Sequence, residues 1–299
     1  MRIIHFSDLH VGGRTRELGG LFDKRLFGTL NHLARRARYQ HWARVETALH
    51  QMRLLSPDVV ICTGDLTSLS EPHEFRFALD LLRPLREDRR FRFLYVPGNH
   101  DFYVQEPHVQ HALEEAFYEL NRGELRLGEL PRIVEHLRVR FLLVNEVGPA
   151  PFYASWGALS QETRARLPAL LAPPPPGDDE HGIPAGPLAL VGHFPLRDRR
   201  GRQLSWRRRC HGSEPLYQAL TNGTIRLALC GHIHSPFARH ETSGALECCA
   251  GSLPQNAVFN LIDWNLATGV IEQRWVPVED AGPAAPIPAL VGLAPPTQA

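Results

Sequence analysis

The sequence lacks any apolar run of about 20 residues, the length that a membrane-spanning helix needs. Its first apolar stretch, within MRIIHFSDLH, is interrupted by His5 and Asp8 and is too short for the apolar region of a signal peptide. We therefore expect a cytoplasmic protein whose chain does not cross a membrane.

Cysteine and net charge are also scarce. The five cysteines are odd in number and form no CxxC pair, which indicates a reducing compartment where thiols act as small buried side chains. The formal net charge is +1, from 33 basic and 32 acidic residues, so the chain has no global basic field. Bulk nucleic-acid binding needs such a field, and we expect no nucleic-acid partner.

What the sequence does contain is a series of short apolar runs, each about as long as one β-strand. They lie at 3–4, 59–62, 93–96, 141–144, 188–191 and 227–230. Amphipathic stretches such as 44–55 and 74–85 separate the early runs and predict helices. This alternation favours an α/β fold with strands buried on both faces. Three later runs, 246–249, 258–264 and 270–276, predict mostly antiparallel strands.

Polar side chains directly follow five of the six early runs. The endings are Ser7-Asp8-Leu9-His10, Thr63-Gly64-Asp65, Gly98-Asn99-His100-Asp101, Gly192-His193 and Gly231-His232-Ile233-His234. One such ending is ordinary turn chemistry, but five in chain order indicate a shared purpose. The carboxyl ends of parallel strands gather along one edge of a sheet, where open α/β sheets place their sites. We therefore expect these side chains to lie together.

The side chains in these endings suit a metal centre. Beside His100 and Asp101 they offer two carboxylates, one amide and four imidazoles: Asp8, Asp65, Asn99, His10, His193, His232 and His234. The pairs Asp8/His10 and His232/His234 would each point to one side of an extended chain. The set is large enough for two metal ions if one carboxylate bridges them. Mixed nitrogen and oxygen ligands favour Mn, Fe or Zn over Ca or Mg.

The motifs DLH, GDL, GNHD, GHF and GHIH, in this order, resemble the five motifs of the calcineurin-like metallophosphoesterase superfamily. The resemblance implies one domain over 1–278. It also implies an α/β fold in which two facing mixed β-sheets are flanked by helices, a four-layer α-β-β-α sandwich. It assigns Asp8, His10 and His234 to one metal ion and Asn99, His193 and His232 to the other, with Asp65 as the bridge. His100 would face the substrate, and Asp101 would hold its imidazole in place.

The same resemblance implies a hydrolase that cleaves a phosphodiester or pyrophosphate bond by attack of a hydroxide that bridges two divalent ions. Manganese is the ion we expect to support activity best, with iron or zinc as alternatives. His100, as an imidazolium, would stabilise the developing charge and protonate the leaving oxygen. A carboxylate at Asp101 would favour that charged form of the imidazole.

Three segments stand apart from this pattern. Residues 14–42 are a basic insertion with apolar residues close to helical spacing. Two interpretations stay open: an amphipathic helix that lies on an anionic membrane or holds an acyl chain, or an ordinary helix packed on its own domain. Residues 173–187 predict a Pro-rich surface loop. Residues 279–299 predict a mobile tail rich in Pro and Ala.

The phosphate ester itself is not fixed by the motifs. The insertion portion KRLFGTLNHLARR resembles a segment of bacterial lipid-processing members such as UDP-2,3-diacylglucosamine hydrolases. That resemblance implies a lipid-linked substrate, and the basic and apolar pattern of 14–42 would allow peripheral contact with the inner face of the membrane. The alternative is a soluble class III-type 3',5'-cyclic nucleotide phosphodiesterase acting on cyclic AMP, which shares all five motifs.

A reading of another class is a metal-binding scaffold without catalysis, against which the intact His100 and Asp101 argue. Basic residues also follow the fourth motif, between Arg197 and Arg209. They are interpreted either as a surface that meets a diphosphate or anionic lipid near the site, or as a solvated loop.

Overall fold

The computed structural model describes residues 1–12, 42–148, 150–151, 154–173 and 186–279. The insertion 14–42, the Pro-rich loop 173–187 and the tail 279–299 lie outside the described residues except at their ends, so the expectations about them stay predictions. The domain boundaries 1–278 likewise stay a prediction. Within the described residues, no helix combines the length and apolar character needed to cross a membrane.

Helices and strands alternate along the first two thirds of the chain. The helices are α1 (Trp42–Leu54), α2 (Pro72–Arg86), α3 (Pro107–Leu120), α4 (Gln161–Leu171), α5 (Glu214–Thr221) and α6 (Leu253–Asn256), with a 3-10 turn at Leu127–Glu129. The strands are β1 (Arg2–Phe6), β2 (Val59–Cys62), β3 (Arg92–Tyr95), β4 (Arg132–His136), β5 (Val139–Leu143), β6 (Gly157–Ala158), β7 (Leu188–Val191), β8 (Cys210–His211), β9 (Ile225–Cys230), β10 (Phe237–His240), β11 (Leu246–Cys249), β12 (Val258–Trp264) and β13 (Ile271–Pro277).

The strands form two large mixed sheets and one small one. The first sheet has the order β13-β12-β1-β2-β3, and the second has the order β10-β11-β9-β7-β5-β4. Strands β1, β2 and β3 are parallel, as are β5, β7, β9 and β11. The two-residue strands β6 and β8 pair with each other. The predicted strand at 246–249 is therefore present but runs parallel to β9, and only its pairing with β10 is antiparallel.

An apolar core lies between the two large sheets. Phe6 of β1 packs in the same cluster as Phe141 and Leu143 of β5. The intervening residue Leu142 lies in a second cluster, which contains Leu216 of α5. Because successive side chains of a strand point to opposite faces, the second sheet is buried on both sides. This arrangement of two mixed sheets with flanking helices confirms the predicted α/β fold class.

Candidate metal centre

The predicted motifs follow β1, β2, β3, β7 and β9, and their side chains meet at one edge of the two sheets. Five of the predicted residues adopt left-handed backbone conformations: Asp8 (φ 56°), His10 (φ 48°), Asp65 (φ 53°), His232 (φ 70°) and His234 (φ 54°). Non-glycine residues rarely take this conformation, which costs on the order of 1 kcal/mol each and persists only where surrounding contacts enforce it. The pairs Asp8/His10 and His232/His234 thus converge as expected, although through turned rather than extended backbone.

Two glycines allow the motif loops to approach one another. A Cβ at Gly98 would lie 2.5 Å from the backbone nitrogen of Asp65 and 2.6 Å from a ring carbon of His193. A Cβ at Gly231 would lie 2.8 Å from the Cβ of Ser7. Any side chain at either position would therefore push neighbouring motif loops apart.

Four of the predicted ligands form a compact group. Asp8, His10, Asp65 and His234 each offer a ligand atom, and these atoms all lie within 4.8 Å of one another. The Nε2 atoms of His10 and His234 are 2.9 Å apart. Asp8 Oδ1 lies 3.2 Å from His234 Nε2. Asp8, His10 and Asp65 are buried and His234 is partly exposed, so these imidazole nitrogens and carboxylate oxygens form a candidate metal site.

The other three predicted ligands form a second group next to the first. Asn99 Oδ1 lies 2.9 Å from His232 Nδ1 and 3.3 Å from His193 Nε2. Asp65 stands between the groups, because its Oδ1 is 3.5 Å from His193 Nε2 and its Oδ2 is 3.5 Å from His10 Nε2. Below, the seven side chains are called the strand-end cluster: Asp8, His10, Asp65, Asn99, His193, His232 and His234.

The ring orientations show that the strand-end cluster suits a cation. His10 Nδ1 lies 3.2 Å from the Thr67 carbonyl, and His193 Nδ1 lies 2.6 Å from the Thr63 carbonyl. A carbonyl accepts the Nδ1 proton, so the neutral ring directs the lone pair of Nε2 into the cluster. These lone pairs face the carboxylate of Asp65, and the buried Nε2 of His232 has no hydrogen-bond partner among the described residues. Acceptors that face acceptors in a buried site fit a bound metal ion.

The charges of the strand-end cluster are strongly coupled. Burial alone would raise the pKa of Asp65, but the charge of His193 and its neighbours holds that pKa well below its usual range. Burial likewise lowers the pKa of His193, yet the Asp65 carboxylate raises it overall to about 10. The pKa of His232 falls to about 3, through burial first and then the charges of His193 and, more weakly, Arg208. The carboxylates therefore stay ionised at neutral pH, and a metal ion bound at His193 Nε2 would displace the proton that this raised pKa keeps on the ring.

His100 lies beside the strand-end cluster and is held by the backbone of the preceding motif. Its Nδ1 is 2.8 Å from the Ser68 carbonyl, and its ring stacks on Tyr103 with centroids 5.1 Å apart. Its own N–H donates to Asp65 Oδ1 at 2.7 Å. Because the Ser68 carbonyl accepts the Nδ1 proton, Nε2 is the nitrogen that can exchange a proton with a ligand in the cleft.

The prediction that Asp101 holds the His100 imidazole is wrong. The fully buried carboxylate of Asp101 accepts hydrogen bonds from Thr67 N at 2.9 Å and Thr67 Oγ1 at 3.1 Å. Its other oxygen accepts from Tyr95 Oη at 2.9 Å and Gly98 N at 3.0 Å. Buried N–H groups need acceptors, and the oxygens of Asp101 accept from these groups instead of from the imidazole of His100. Asp101 thus ties the second motif loop to the third, and burial and the charge of Asp65 raise its pKa to about 6.

A buried glutamate supports the cluster and was not predicted. Glu146 Oε2 accepts from the backbone nitrogens of His193 at 2.6 Å and Phe194 at 2.8 Å. Burial raises the pKa of Glu146, while these two hydrogen bonds oppose the shift. Glu146 follows the run 141–144, the one early run for which no polar ending was singled out. The rule applied to the other five strand ends would have found it.

The cleft beside the cluster has a wall formed by two loops. It encloses about 280 Å³ and is lined by Asp65, Asn99, His100, Ser155, Arg208, His232, Ile233 and His234. Ser155 and Arg208 come from the segments that pair as β6 and β8, here called the β6–β8 wall (155–158 with 205–211). Ser155 N donates to the Arg207 carbonyl at 2.9 Å, and Gly157 N donates to the Arg209 carbonyl at 3.2 Å. The wall thus brings together two stretches that lie about 50 residues apart in sequence.

Comparison with known proteins agrees with this geometry. A family model described as calcineurin-like phosphoesterase matches residues 1–236. No curated protein sequence gives a significant match.

Solved structures share the fold at low sequence identity. A dimetal phosphatase from Danio rerio is 16% identical with a TM-score of 0.56, over 88% of this chain and 92% of that one. A purple acid phosphatase from yellow lupin is 13% identical with a TM-score of 0.53, over 94% of this chain and 52% of that one. A putative 5'-nucleotidase from Staphylococcus aureus is 13% identical with a TM-score of 0.51, over 94% of this chain and 55% of that one. The chain therefore spans about half the length of the last two proteins, and identities this low show the fold alone.

Proposed function

Since this chain belongs to the calcineurin-like phosphoesterase family and is a hydrolase of phosphoester bonds, we propose that it cleaves a phosphodiester or pyrophosphate bond with two divalent metal ions. The observation that carries the proposal is the position of Asp65, whose two oxygens face two separate groups of ligands at 3.5 Å each. A single carboxylate between two donor groups is the arrangement that a dinuclear centre requires.

Each group would hold one metal ion. Asp8, His10 and His234 would bind the first, Asn99, His193 and His232 would bind the second, and Asp65 would bridge them. The two ions, when bound, would lower the pKa of a water molecule and neutralise the phosphoryl oxygens. Manganese fits the mixed nitrogen and oxygen donors and is the ion we propose for activity, with iron or zinc as alternatives.

The residues of the chain itself supply the remaining steps. His100 donates a proton from Nε2 to the leaving oxygen, since its Nδ1 is engaged by the Ser68 carbonyl. The stack of its ring on Tyr103 keeps that nitrogen in a fixed direction. Asp101 acts indirectly, as a positioning residue, because its hydrogen bonds fix the loop that carries both Asn99 and His100.

A panel of phosphate-ester substrates tests this proposal. Protein loaded with Mn²⁺ is assayed on bis(p-nitrophenyl) phosphate, cyclic AMP, UDP-2,3-diacylglucosamine in mixed micelles, a phosphomonoester and single-stranded DNA. We expect hydrolysis of a diester or pyrophosphate that stops on dialysis against EDTA and returns with Mn²⁺, and two metal ions per chain by elemental analysis. Tight metal binding with no hydrolysis of any substrate would contradict the proposal and favour a non-catalytic scaffold.

A lipid-linked substrate such as UDP-2,3-diacylglucosamine is the finer proposal, and it rests on the basic and apolar composition of 14–42. It is tested separately by co-sedimentation with anionic liposomes, comparing the full chain with a deletion of 18–38. We expect only the full chain to pellet. Equal pelleting of both proteins, together with activity on cyclic AMP alone, would support the soluble cyclic-nucleotide phosphodiesterase instead.

A further inference from the structure

The basic stretch after the fourth motif contains two kinds of arginine. Arg197 pairs with Glu214 at 3.0 Å and covers the ring of Tyr217 at 3.6 Å. Arg202 pairs with Asp198 at 3.1 Å. These contacts fix the local loop and account for both side chains without any ligand.

Arg208 belongs to the other kind. It is exposed, it lines the cleft beside the strand-end cluster, and within the described residues no carboxylate lies within ion-pair distance of it. An exposed arginine normally pairs with a carboxylate or points into bulk water, whereas Arg208 lines the cleft beside the cluster.

The backbone around Arg208 is fixed rather than loose. Its N–H donates to the Ser205 carbonyl at 2.9 Å, which closes a turn just before β8. Strand β8 begins with the buried Cys210 and pairs with β6, and Ala158 of β6 donates to the carbonyl of Glu146 at 2.9 Å. Glu146 in turn holds the backbone of His193. Arg208 is therefore tied to the strand-end cluster through a short chain of hydrogen bonds.

The positive charge of Arg208 at the edge of the cleft affects which substrates bind most tightly. A phosphodiester carries a single negative charge, and two divalent ions held by only two carboxylates already offset it. An additional guanidinium at the edge of the cleft improves binding most for a substrate with a second anionic group. The planar fork of arginine matches phosphate oxygens in a two-point contact, which a lysine cannot reproduce.

We propose that Arg208 binds a second phosphate group, adjacent to the scissile one, so that the enzyme prefers a diphosphate-containing substrate over a simple phosphodiester. This proposal rests on the proposed function of the same site. It assigns substrate choice to the β6–β8 wall and not to the metal ligands.

The test compares two ligands that differ by one phosphate. The affinities of adenosine 5'-(α,β-methylene)diphosphate, whose methylene link between the two phosphorus atoms resists hydrolysis, and of AMP are measured by calorimetry on Mn²⁺-loaded protein. For Arg208→Ala we expect about a tenfold weaker affinity for the diphosphate, the size of one hydrogen bond to a charged group, and less than about a threefold change for AMP. Arg208→Lys should fall between wild type and Arg208→Ala because it keeps the charge without the fork.

Arg200→Ala is the matched control, since Arg200 is an exposed arginine of the same stretch that does not line the cleft. It should bind both ligands like wild type. The proposal is overturned if Arg208→Ala binds the diphosphate as well as wild type does, if it loses AMP by the same factor, or if wild type binds the diphosphate no better than AMP. Absence of hydrolysis of every substrate in the panel by Mn²⁺-loaded wild type would instead contradict the proposed function, and the affinity comparison would still decide the role of Arg208.

Discussion

The strand-end cluster and the β6–β8 wall face the same cleft but are built in different ways. In the cluster, the side chains of Asp8, Asp65 and His193 are at most 1% exposed, and several residues have left-handed backbones enforced by neighbouring loops. In the wall, Ser155 is partly exposed, Arg208 is exposed, and the two strands have only two residues each. A strained and buried region holds a fixed geometry, whereas the exposed side chains of a short ribbon, such as Arg208, can change without disturbing the fold. The difference agrees with the division proposed above, in which the cluster performs the chemistry and the wall selects the substrate.

Replacing the bridging carboxylate should have the largest effect. Asp65→Asn keeps the size of the side chain but removes the charge shared by the two ligand groups. We expect fewer than two metal ions per chain by elemental analysis, and a loss of activity larger than the roughly 10²–10⁴-fold typical of a lone proton donor. The control is Asp80→Asn on α2, whose carboxylate is 67% exposed and pairs with Arg83 one helical turn away. Two metals per chain in Asp65→Asn would disprove the bridge.

His100→Ala should separate metal binding from proton transfer. We expect two bound metals and a fall in kcat of about 10²–10⁴-fold, the usual contribution of a general acid. His111→Ala is a suitable control because that imidazole is exposed on α3 and contacts Glu115 at 3.1 Å. A kcat near the wild-type value for His100→Ala would show that the cluster works without this proton donor.

The companion variant Asp101→Asn tests the corrected role of its carboxylate. An amide nitrogen in place of one oxygen would face the N–H of either Thr67 or Gly98, so we expect a loss of about 1–3 kcal/mol in the free energy of unfolding. The pH dependence of kcat should keep the wild-type pKa for His100, since the Ser68 carbonyl holds that ring. Urea titration and a pH profile give the two readouts. A shifted pKa without destabilisation would restore direct contact between Asp101 and His100.

Glu146→Ala should weaken metal binding by the strand-end cluster. It leaves the N–H groups of His193 and Phe194 without their acceptor, which is expected to lower the affinity for the second metal by about 10–100-fold, as loss of a supporting hydrogen bond does elsewhere. Metal titration measures this effect. Glu146→Gln keeps an acceptor oxygen and should recover most of the affinity, and Glu162→Ala on the exposed side of α4 should change nothing. Failure of the glutamine variant to recover would show that the charge matters rather than the hydrogen bonds.

The same division explains how much the sequence could predict. The side chains of the cluster follow apolar strands directly, and the parallel order of β1 to β3 and of β7 and β9 brings those strand ends together, so position in the chain was enough to group them. The left-handed backbones could not be foreseen, because they arise where loops from two sheets press together. Asp101 was misassigned because adjacency in sequence suggested contact with His100, while buried N–H groups of other loops compete more strongly. The wall depends on the pairing of two strands of two residues each, which are too short to show an alternating apolar pattern in the sequence.

The smallest effect is expected for Ser155→Ala, which bears on the wall alone. Ser155 lines the cleft and its hydroxyl is the group that the substitution removes, whereas its backbone N–H supports the pairing of the wall through the Arg207 carbonyl and is untouched. A neutral hydrogen bond contributes about 0.5–1.5 kcal/mol, so KM for the best substrate should rise by roughly two- to tenfold. Two metals should remain bound and kcat should stay within about twofold of wild type, because no ligand of the cluster moves. Steady-state kinetics on Ser155→Ala and on Thr224→Ala, an exposed hydroxyl before β9, measure the difference. If kcat rather than KM falls in Ser155→Ala, the wall takes part in the chemical step, and the separation between cluster and wall fails.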